Sequence, residues 1–169
     1  MLPKKVEEIL NVQIDKEGYS SHLYLAMAVW AETEGLNGIA GWLYAQAEEE
    51  RMHMLKIVKY INEREGRAKI AALKEPPASF GGVKQMFEQI LEHEKFISAS
   101  INEIVGVCIE ENDHTTNNWI QWFVTEQIEE ESSVKAILDK LKLVGEHHMY
   151  MFDRDIKGMR GGEGEAGAE

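Results

Sequence analysis

The chain has 169 residues, of which 44% are hydrophobic, and its formal net charge is −12. This length fits one domain, and the acidic balance argues against nucleic acid or an anionic membrane as a partner, since both require patches of lysine and arginine. A single cysteine excludes an internal disulfide. No apolar run approaches the roughly 20 residues that span a bilayer, and the segment after Met1 lacks a signal-peptide core, so we expect a cytoplasmic protein.

Apolar residues recur at helical spacing through most of the chain, which predicts four long helices and a short fifth one. Gly35, Gly66 and Gly145 interrupt this pattern and mark helix ends. Asn37 is suited to cap the second helix, and the turn at Asn112-Asp113 is suited to cap the fourth. The predicted helices span about residues 3–34, 37–65, 82–111, 114–144 and 146–157.

The link between the second and third predicted helices is long. Residues 66–80 contain Pro76-Pro77 and carry no helical pattern. Such a link can stretch about 50 Å, and a helix of nearly thirty residues is about 45 Å long, so the link can cross the whole bundle. We therefore predict an all-α four-helix bundle with a long crossover between helices two and three, covering residues 1–158. Residues 159–169 are rich in Gly and Glu and are predicted to be a disordered tail.

Each long helix carries ionisable or amide residues within an otherwise apolar seam. A buried carboxylate costs on the order of several kcal/mol unless it is paired or bound to a metal. These polar residues lie near the middle of their helices, so they can meet at one level of the bundle. They are Glu17, Glu50, Glu94, Gln127 and Glu130.

The same spacing recurs in both halves of the chain. Glu50 follows Glu17 by 33 residues, and Gln127 follows Glu94 by 33 residues. An offset of 77 residues relates the two helical hairpins throughout. The hairpins therefore look like a degenerate internal repeat, with a pseudo-twofold axis through the polar cluster.

Glu50 and His53 lie one turn apart on the same face of their helix. Two metal ions held between two hairpins require terminal carboxylates, a bridging carboxylate and an imidazole. Oxygen and nitrogen ligands without thiolate suit iron or manganese, and zinc can also bind. One such pair occurs by chance on many surface helices, and runs of glutamate are by default solvated faces. Neither explains the equal spacing in both hairpins, so the joint pattern favours a metal site.

With these residues the chain resembles a bacterial non-haem ferritin over essentially residues 1–158. Bundles of this di-iron class carry a Glu-x-x-His pair on each of two helices, and this chain has only one. The Gln-x-x-Glu at the second place is similar to ferritins proper rather than to bacterioferritins. The resemblance rests on the crossover, the short fifth helix and Glu17, Tyr24, Glu50-x-x-His53, Glu94 and Gln127-x-x-Glu130.

The resemblance implies a set of iron ligands. One iron would be held by Glu17, Glu50 and His53. The second would be held by Glu94, Glu130 and the bridging Glu50. An adjoining third iron site would use the carboxylates of Glu49, Glu126 and Glu129, with Glu130 shared.

Three further residues have roles implied by the same resemblance or by position. Gln127 would hydrogen-bond a water or an oxygen species. Tyr24 is either an electron donor beside the site or a core residue with a satisfied hydroxyl. Trp122 either lines the third site or packs in the core. No haem is expected, because Arg51 occupies the place of the methionine through which bacterioferritins bind it.

The function that the resemblance implies is iron storage. Fe(II) would be oxidised by dioxygen or peroxide, and the product would be kept as a ferric oxide mineral inside a hollow shell of twenty-four subunits. Three alternatives stay open: a rubrerythrin-like peroxide reductase, a di-iron radical or oxygenase subunit, and a non-enzymatic shell subunit. The first normally carries cysteine pairs, the second is usually longer, and the full ligand set counts against the third.

Overall fold

A computed structural model describes residues 1–159 of the chain. The described residues form helices and no strand, which confirms the predicted all-α bundle. Single turns of 3-10 helix precede and follow the short last helix, at Glu146–His148 and Ile156–Met159. The α-helices are α1 Lys4–Thr33, α2 Asn37–Glu63, α3 Val83–Glu110, α4 His114–Val144 and α5 Met149–Asp155.

The tail predicted at residues 159–169 lies outside the described part of the chain, except for Met159, which ends the last 3-10 turn. The boundaries of the four long helices agree with the prediction to within two residues. The predicted fifth helix is the 3-10, α and 3-10 series over residues 146–159. Among the described residues, no helix combines the length and the apolarity that a membrane crossing needs.

The two predicted helix caps have different outcomes. Asp113 caps α4 as predicted, because its carboxylate accepts a hydrogen bond of 3.1 Å from the backbone N–H of Thr116. The predicted cap at Asn37 is wrong, since Asn37 is the first residue of α2 and makes no side-chain cap. The first N–H groups of α2 donate instead to Asp153 of α5, from Gly38 at 3.1 Å and from Ile39 at 2.8 Å.

Hydrogen bonds between helices set the register of the bundle. The hydroxyl of Ser21 on α1 donates to the carbonyl oxygen of Ala47 on α2, at 2.7 Å. Near the end of α2, the hydroxyl of Tyr60 donates to Thr116 on α4 at 2.9 Å. The end of α2 thus meets the start of α4, as expected of two antiparallel helices.

The crossover runs along α1 from the start of that helix to its end. The backbone N–H of Lys69 donates to the side-chain carbonyl of Asn11 at 2.7 Å. Further along, Leu73 covers Gly18, where an added Cβ would lie 3.3 Å from the leucine methyl. The ring of Phe80 then meets Trp30, with 6.0 Å between the ring centroids. From residue 11 to residue 30 of α1 this path covers about 28 Å of helix.

Two apolar clusters fill the bundle, one on each side of a polar layer. The first cluster includes Met27, Leu43 and Phe87 and receives Phe152 and Ile156 from the last turns of the chain. The second cluster is built from the other halves of the four long helices. Buried polar residues of α1 to α4 lie between the clusters, so the fold delivers them to one layer deep in the bundle.

Candidate metal centre

Every long helix contributes a buried ionisable side chain to the polar layer. Each is at most 6% exposed, because the seam that carries it faces the interior of the bundle. The residues are Glu17 on α1, Glu50 and His53 on α2, Glu94 on α3 and Glu130 on α4.

Two overlapping groups of ligand atoms form within this layer. The first group is Glu17, Glu50 and His53, and the second is Glu50, Glu94 and Glu130. Within each group, one ligand atom per residue lies within 4.8 Å of every other. We call the five residues together the paired site. Glu50 belongs to both groups, which is the arrangement that a carboxylate bridging two ions requires.

A third group adjoins the paired site, and we call it the outer group. It consists of Glu49, His53, Glu126 and Glu130, again with ligand atoms within 4.8 Å of one another. Glu49 and Glu126 are half-buried, whereas Glu129 is exposed and is not part of the group. His53 is present there without having been expected, and the role predicted for Glu129 stays a prediction.

Glutamine side-chain amides donate hydrogen bonds to three of the carboxylates of the paired site, two of them from the α1–α2 hairpin. The amide of Gln13 donates to Glu17 Oε1 at 2.7 Å. The amide of Gln46 donates to Glu130 Oε2 at 2.7 Å. Partners of this kind orient metal ligands. Sequence reasoning missed both glutamines as site residues, although each precedes a ligand by four residues and therefore shares its helix face.

Gln127 was expected beside the centre and lies there. Its amide donates to Glu94 Oε2 at 3.0 Å and to the Glu94 backbone carbonyl at 3.2 Å. The hydroxyl of Tyr24 donates to the other oxygen, Glu94 Oε1. Burial, followed by the negative charges of Glu94 and Glu50, raises the pKa of Tyr24 well above its usual value. The phenol is therefore a protonated donor to a site carboxylate, and its role as an electron donor stays a prediction.

A series of hydrogen bonds also links the paired site to Lys16 on the surface of α1. The hydroxyl of Ser100 donates to Gln13 Oε1, and the ammonium of Lys16 donates to that hydroxyl oxygen, each at 2.5 Å. This fixes the Gln13 amide with its NH₂ group toward Glu17. One carboxylate oxygen of Glu17 is thereby occupied, and the other is left for a different partner.

Two carboxylate oxygens of the paired site have no hydrogen-bond partner. They are Glu17 Oε2 and Glu50 Oε1, and both are buried. The imidazole of His53 lies beside them, with its Nδ1 4.0 Å from Glu17 Oε2 and 3.5 Å from Glu50 Oε2. Leaving a buried acceptor unpaired costs about 1–3 kcal/mol, so these oxygens point to a ligand.

The electrostatics of the layer also call for added positive charge. Burial, then the charges of Glu94 and Glu17, raises the pKa of Glu50 well above its usual value. Burial, then the charges of Glu50 and Glu94, does the same at Glu130, and burial raises the pKa of Glu94. In the described part of the chain, no lysine or arginine forms a salt bridge with these carboxylates. Divalent cations are the ligands that fit such a cluster.

Aromatic side chains close the layer around His53. The imidazole meets the ring of Trp122 edge-on at 5.4 Å between centroids and that of Phe123 at 5.8 Å. Phe123 is buried, whereas Trp122 is 40% exposed. Trp122 therefore forms the wall between the outer group and solvent.

The chain matches the family of proteins described as the ferritin-like domain, over residues 7–144. It is 41% identical to a bacterial non-heme ferritin of Campylobacter jejuni, over 93% of this chain and 95% of that relative. A bacterial non-heme ferritin of Bacteroides fragilis is 34% identical, over 92% of this chain and 98% of its own length. Among solved structures, an open-pore ferritin from the archaeon Archaeoglobus fulgidus superposes with a TM-score of 0.90 at 39% identity. That superposition covers 92% of this chain and 96% of the archaeal one.

Proposed function

This chain belongs to the ferritin-like family, and from that premise we propose that its paired site is a ferroxidase centre. The protein stores iron, and it oxidises Fe(II) to Fe(III) in doing so. The observation that carries the assignment of the site is the sharing of Glu50 by two buried ligand groups. A chance cluster of surface acids would be neither buried nor built from four helices.

The ligand set suits the substrate. Glu17 and His53 would hold one Fe(II), Glu94 and Glu130 the other, and Glu50 both. Four carboxylates carry as many negative charges as two Fe(II) ions carry positive ones, so substrate binding neutralises the layer. Carboxylate oxygens favour Fe(III), the harder ion, and thereby ease the loss of an electron. Because the pKa values of three of these carboxyls are raised, Fe(II) binding would also displace protons.

The oxidant we propose is dioxygen or hydrogen peroxide. Two Fe(II) ions each give up one electron, and dioxygen takes both together with two protons to become hydrogen peroxide. Hydrogen peroxide takes two electrons and two protons to become two waters. Tyr24, hydrogen-bonded to Glu94, is placed to supply a further electron, and Gln127 keeps Glu94 oriented on its other oxygen.

The outer group is proposed to hold a third iron. It shares His53 and Glu130 with the paired site, so an ion there would lie next to the pair. Changing Glu49, Glu126 and Glu129 together to Ala should leave the first oxidation at the pair fast, because Glu17, Glu50 and Glu94 remain. The oxygen consumed per Fe(II) and the rate of later additions should change. Identical stoichiometry and repeat rates would reduce these acids to a surface feature.

We further propose that twenty-four copies of the chain form the hollow shell that holds the ferric oxide mineral, and that the shell is cytoplasmic. Large apolar side chains on the outside of the subunit support association with other copies. They include Ile70, Ile128 and Leu143, which are 71%, 68% and 87% exposed. Light scattering together with iron analysis of the purified protein checks both the size and the mineral.

The direct test of the centre is the rate of Fe(II) oxidation followed by stopped-flow absorbance. Glu50→Ala and His53→Ala should each slow the first turnover by more than about 100-fold, since loss of a mere supporting partner already costs about 10–100-fold. Glu48→Ala, at an exposed position on the same helix, is the matched control and should keep the wild-type rate. Wild-type rates in Glu50→Ala would refute the assignment. A peroxide reductase, by contrast, would turn over peroxide without retaining mineral iron.

A further inference from the structure

A lysine lies beside the outer group, on the face that α2 and α4 share. Lys56 follows His53 by three residues on α2, so the two side chains occupy one face of that helix. Trp122 precedes Glu126 by four residues on α4 and shares its face in the same way. Because α2 and α4 are antiparallel, the lysine is brought over the tryptophan one turn away from the outer group.

The contacts of this lysine are specific. Its ammonium nitrogen lies 3.4 Å from the centroid of the Trp122 ring, a close cation–π contact. The same indole meets the His53 imidazole edge-on, at 5.4 Å and an interplanar angle of 78°. Ammonium, indole and imidazole thus form a continuous row from the surface into the outer group.

The charge of Lys56 acts on the outer group. Burial lowers the pKa of Lys56, and the negative charge of Glu126 opposes that shift. Burial raises the pKa of Glu126, His53 lowers it, Glu49 and Glu129 raise it, and Lys56 lowers it. The lysine is therefore held by the indole face where its positive charge stabilises an outer-group carboxylate.

We propose that Lys56 sets the affinity of the outer group for divalent cations, and with it the order in which iron fills the centre. This inference rests on the proposed function, since it concerns iron as the substrate. While the outer group holds no cation, the ammonium supplies part of the neutralising charge, and it repels a cation that arrives. Within the described residues, no lysine or arginine is among the groups that chiefly shift the pKa of Glu50, Glu94 or Glu130, whereas Lys56 is among those that shift the pKa of Glu126. Fe(II) therefore fills the pair first and the outer group last.

A purely mechanical role for Lys56 makes a different prediction. If the lysine only braces Trp122, its removal loosens the wall and weakens binding at the outer group. If it acts through its charge, removal strengthens that binding. Lys56→Met keeps most of the stem and removes the charge, whereas Lys56→Arg keeps both the charge and the ability to stack on an indole.

The experiment is an anaerobic titration of the whole assembled protein with Co(II), followed by calorimetry and by tryptophan fluorescence. Trp122→Phe identifies the part of the quenching that reports the outer group, because Trp122 is the tryptophan that contacts His53. Lys56→Met should bind Co(II) at the outer group at least about tenfold more tightly, because the repulsion between one unit charge and a divalent ion several ångströms away is worth about that factor even at the dielectric of bulk water. Lys56→Arg should bind as the wild type does. Lys59→Met removes an exposed lysine of the same helix and is the matched control.

Unchanged or weaker binding in Lys56→Met would overturn the inference, as would equal shifts in Lys56→Met and Lys56→Arg. Failure of the proposed function is separately visible. In that case the calorimetric phase of the paired site is missing from every protein, including the wild type, whatever the variants do at the outer group.

Discussion

The two helical hairpins contribute to one centre in different ways. The α1–α2 hairpin supplies Glu17, Glu50 and His53, which form a complete ligand group by themselves. The α3–α4 hairpin supplies Glu94 and Glu130, which form a group only with Glu50 of the other hairpin. His53 and Glu130 are equivalent positions, since they differ by the offset of 77 residues that relates the hairpins. The repeated hairpin therefore has an imidazole at this position in its first copy and a carboxylate in its second.

The hairpins also differ in how far their carboxylates are satisfied without an ion. The two unpartnered oxygens, Glu17 Oε2 and Glu50 Oε1, both belong to the first hairpin. Glu94 and Glu130 instead accept hydrogen bonds from Tyr24 and Gln46, which the first hairpin provides. The first group is therefore poised for a cation, whereas the second is held in place by its neighbours. We expect the first group to bind the tighter ion.

The largest effect should be on the number of bound ions when single ligands of the paired site are removed. Glu17→Ala and Glu94→Ala should each lose one tightly bound ion per chain, whereas Glu50→Ala should lose both because both groups share it. Anaerobic calorimetry with Co(II) counts these ions. An exposed-site variant, Glu48→Ala, should keep the wild-type count. Two tight ions in Glu50→Ala would show that the groups do not share a bridge.

A smaller effect is expected from the glutamines that orient the ligands. Gln13→Ala should weaken the first group, and Gln127→Ala the second, each by about 10–100-fold in affinity. Each variant should affect only its own group, because Gln13 contacts Glu17 and Gln127 contacts Glu94. The same calorimetric titration resolves them. Equal weakening of both groups by either variant would mean that the amides act on the bundle as a whole.

The hairpins differ again at the start of their second helices, with an effect on stability alone. Asp113 caps α4 locally, but Leu36 occupies the equivalent position before α2, and Asp153 of α5 caps that helix instead. Asp113→Ala and Asp153→Ala should each destabilise the protein by about 1 kcal/mol in chemical unfolding. Gly38→Ala should cost more, because its Cβ would lie 1.7 Å from the Asp153 carbonyl oxygen. A neutral Asp153→Ala would indicate that α5 does not stabilise α2.

The smallest expected effect concerns the reactivity of the Cys108 thiol. Cys108 is equivalent to Ala31 by the offset of 77 residues, and both side chains are fully buried. Burial, with the charge of Asp113, raises the pKa of Cys108 to about 11. At pH 8 its reaction with iodoacetamide should be roughly two hundredfold slower than that of an unfolded thiol of pKa about 8.5. Since the folded pKa is the higher, the stability contribution is complete below about pH 8.5 and is lost as the pH rises through 11. Mass spectrometry of the alkylated protein checks this, and rapid labelling in the native state would contradict it.

The seam residues and the crossover could be predicted because helical spacing determines which side chains share a face. Glu17, Glu50 and Glu94 are polar residues in apolar seams, and their burial was readable from that alone. The direction of a hydrogen bond between helices was not readable. Gln46 lies one turn from Glu50, and yet its amide reaches across to Glu130 on α4.

Two other differences have long-range or rotational causes. The cap of α2 comes from Asp153, 115 residues beyond Gly38, so the sequence around residue 37 does not predict it. At the outer group, Glu129 was expected beside Glu49 because adjacent residues differ by about 100° on a helix. Glu129 is exposed to solvent, and its place at the outer group stays a prediction, whereas His53, which was not expected there, is part of the group.

The most direct test of the account is anomalous diffraction at the iron edge from crystals loaded anaerobically with Fe(II). The account predicts two strong peaks per subunit, one within the Glu17 and His53 group and one within the Glu94 and Glu130 group. A carboxylate oxygen of Glu50 should lie within bonding distance of each. A weaker third peak is expected at the outer group. A single peak, or two peaks with Glu50 bound to only one of them, would contradict the claim that a shared carboxylate joins two iron sites.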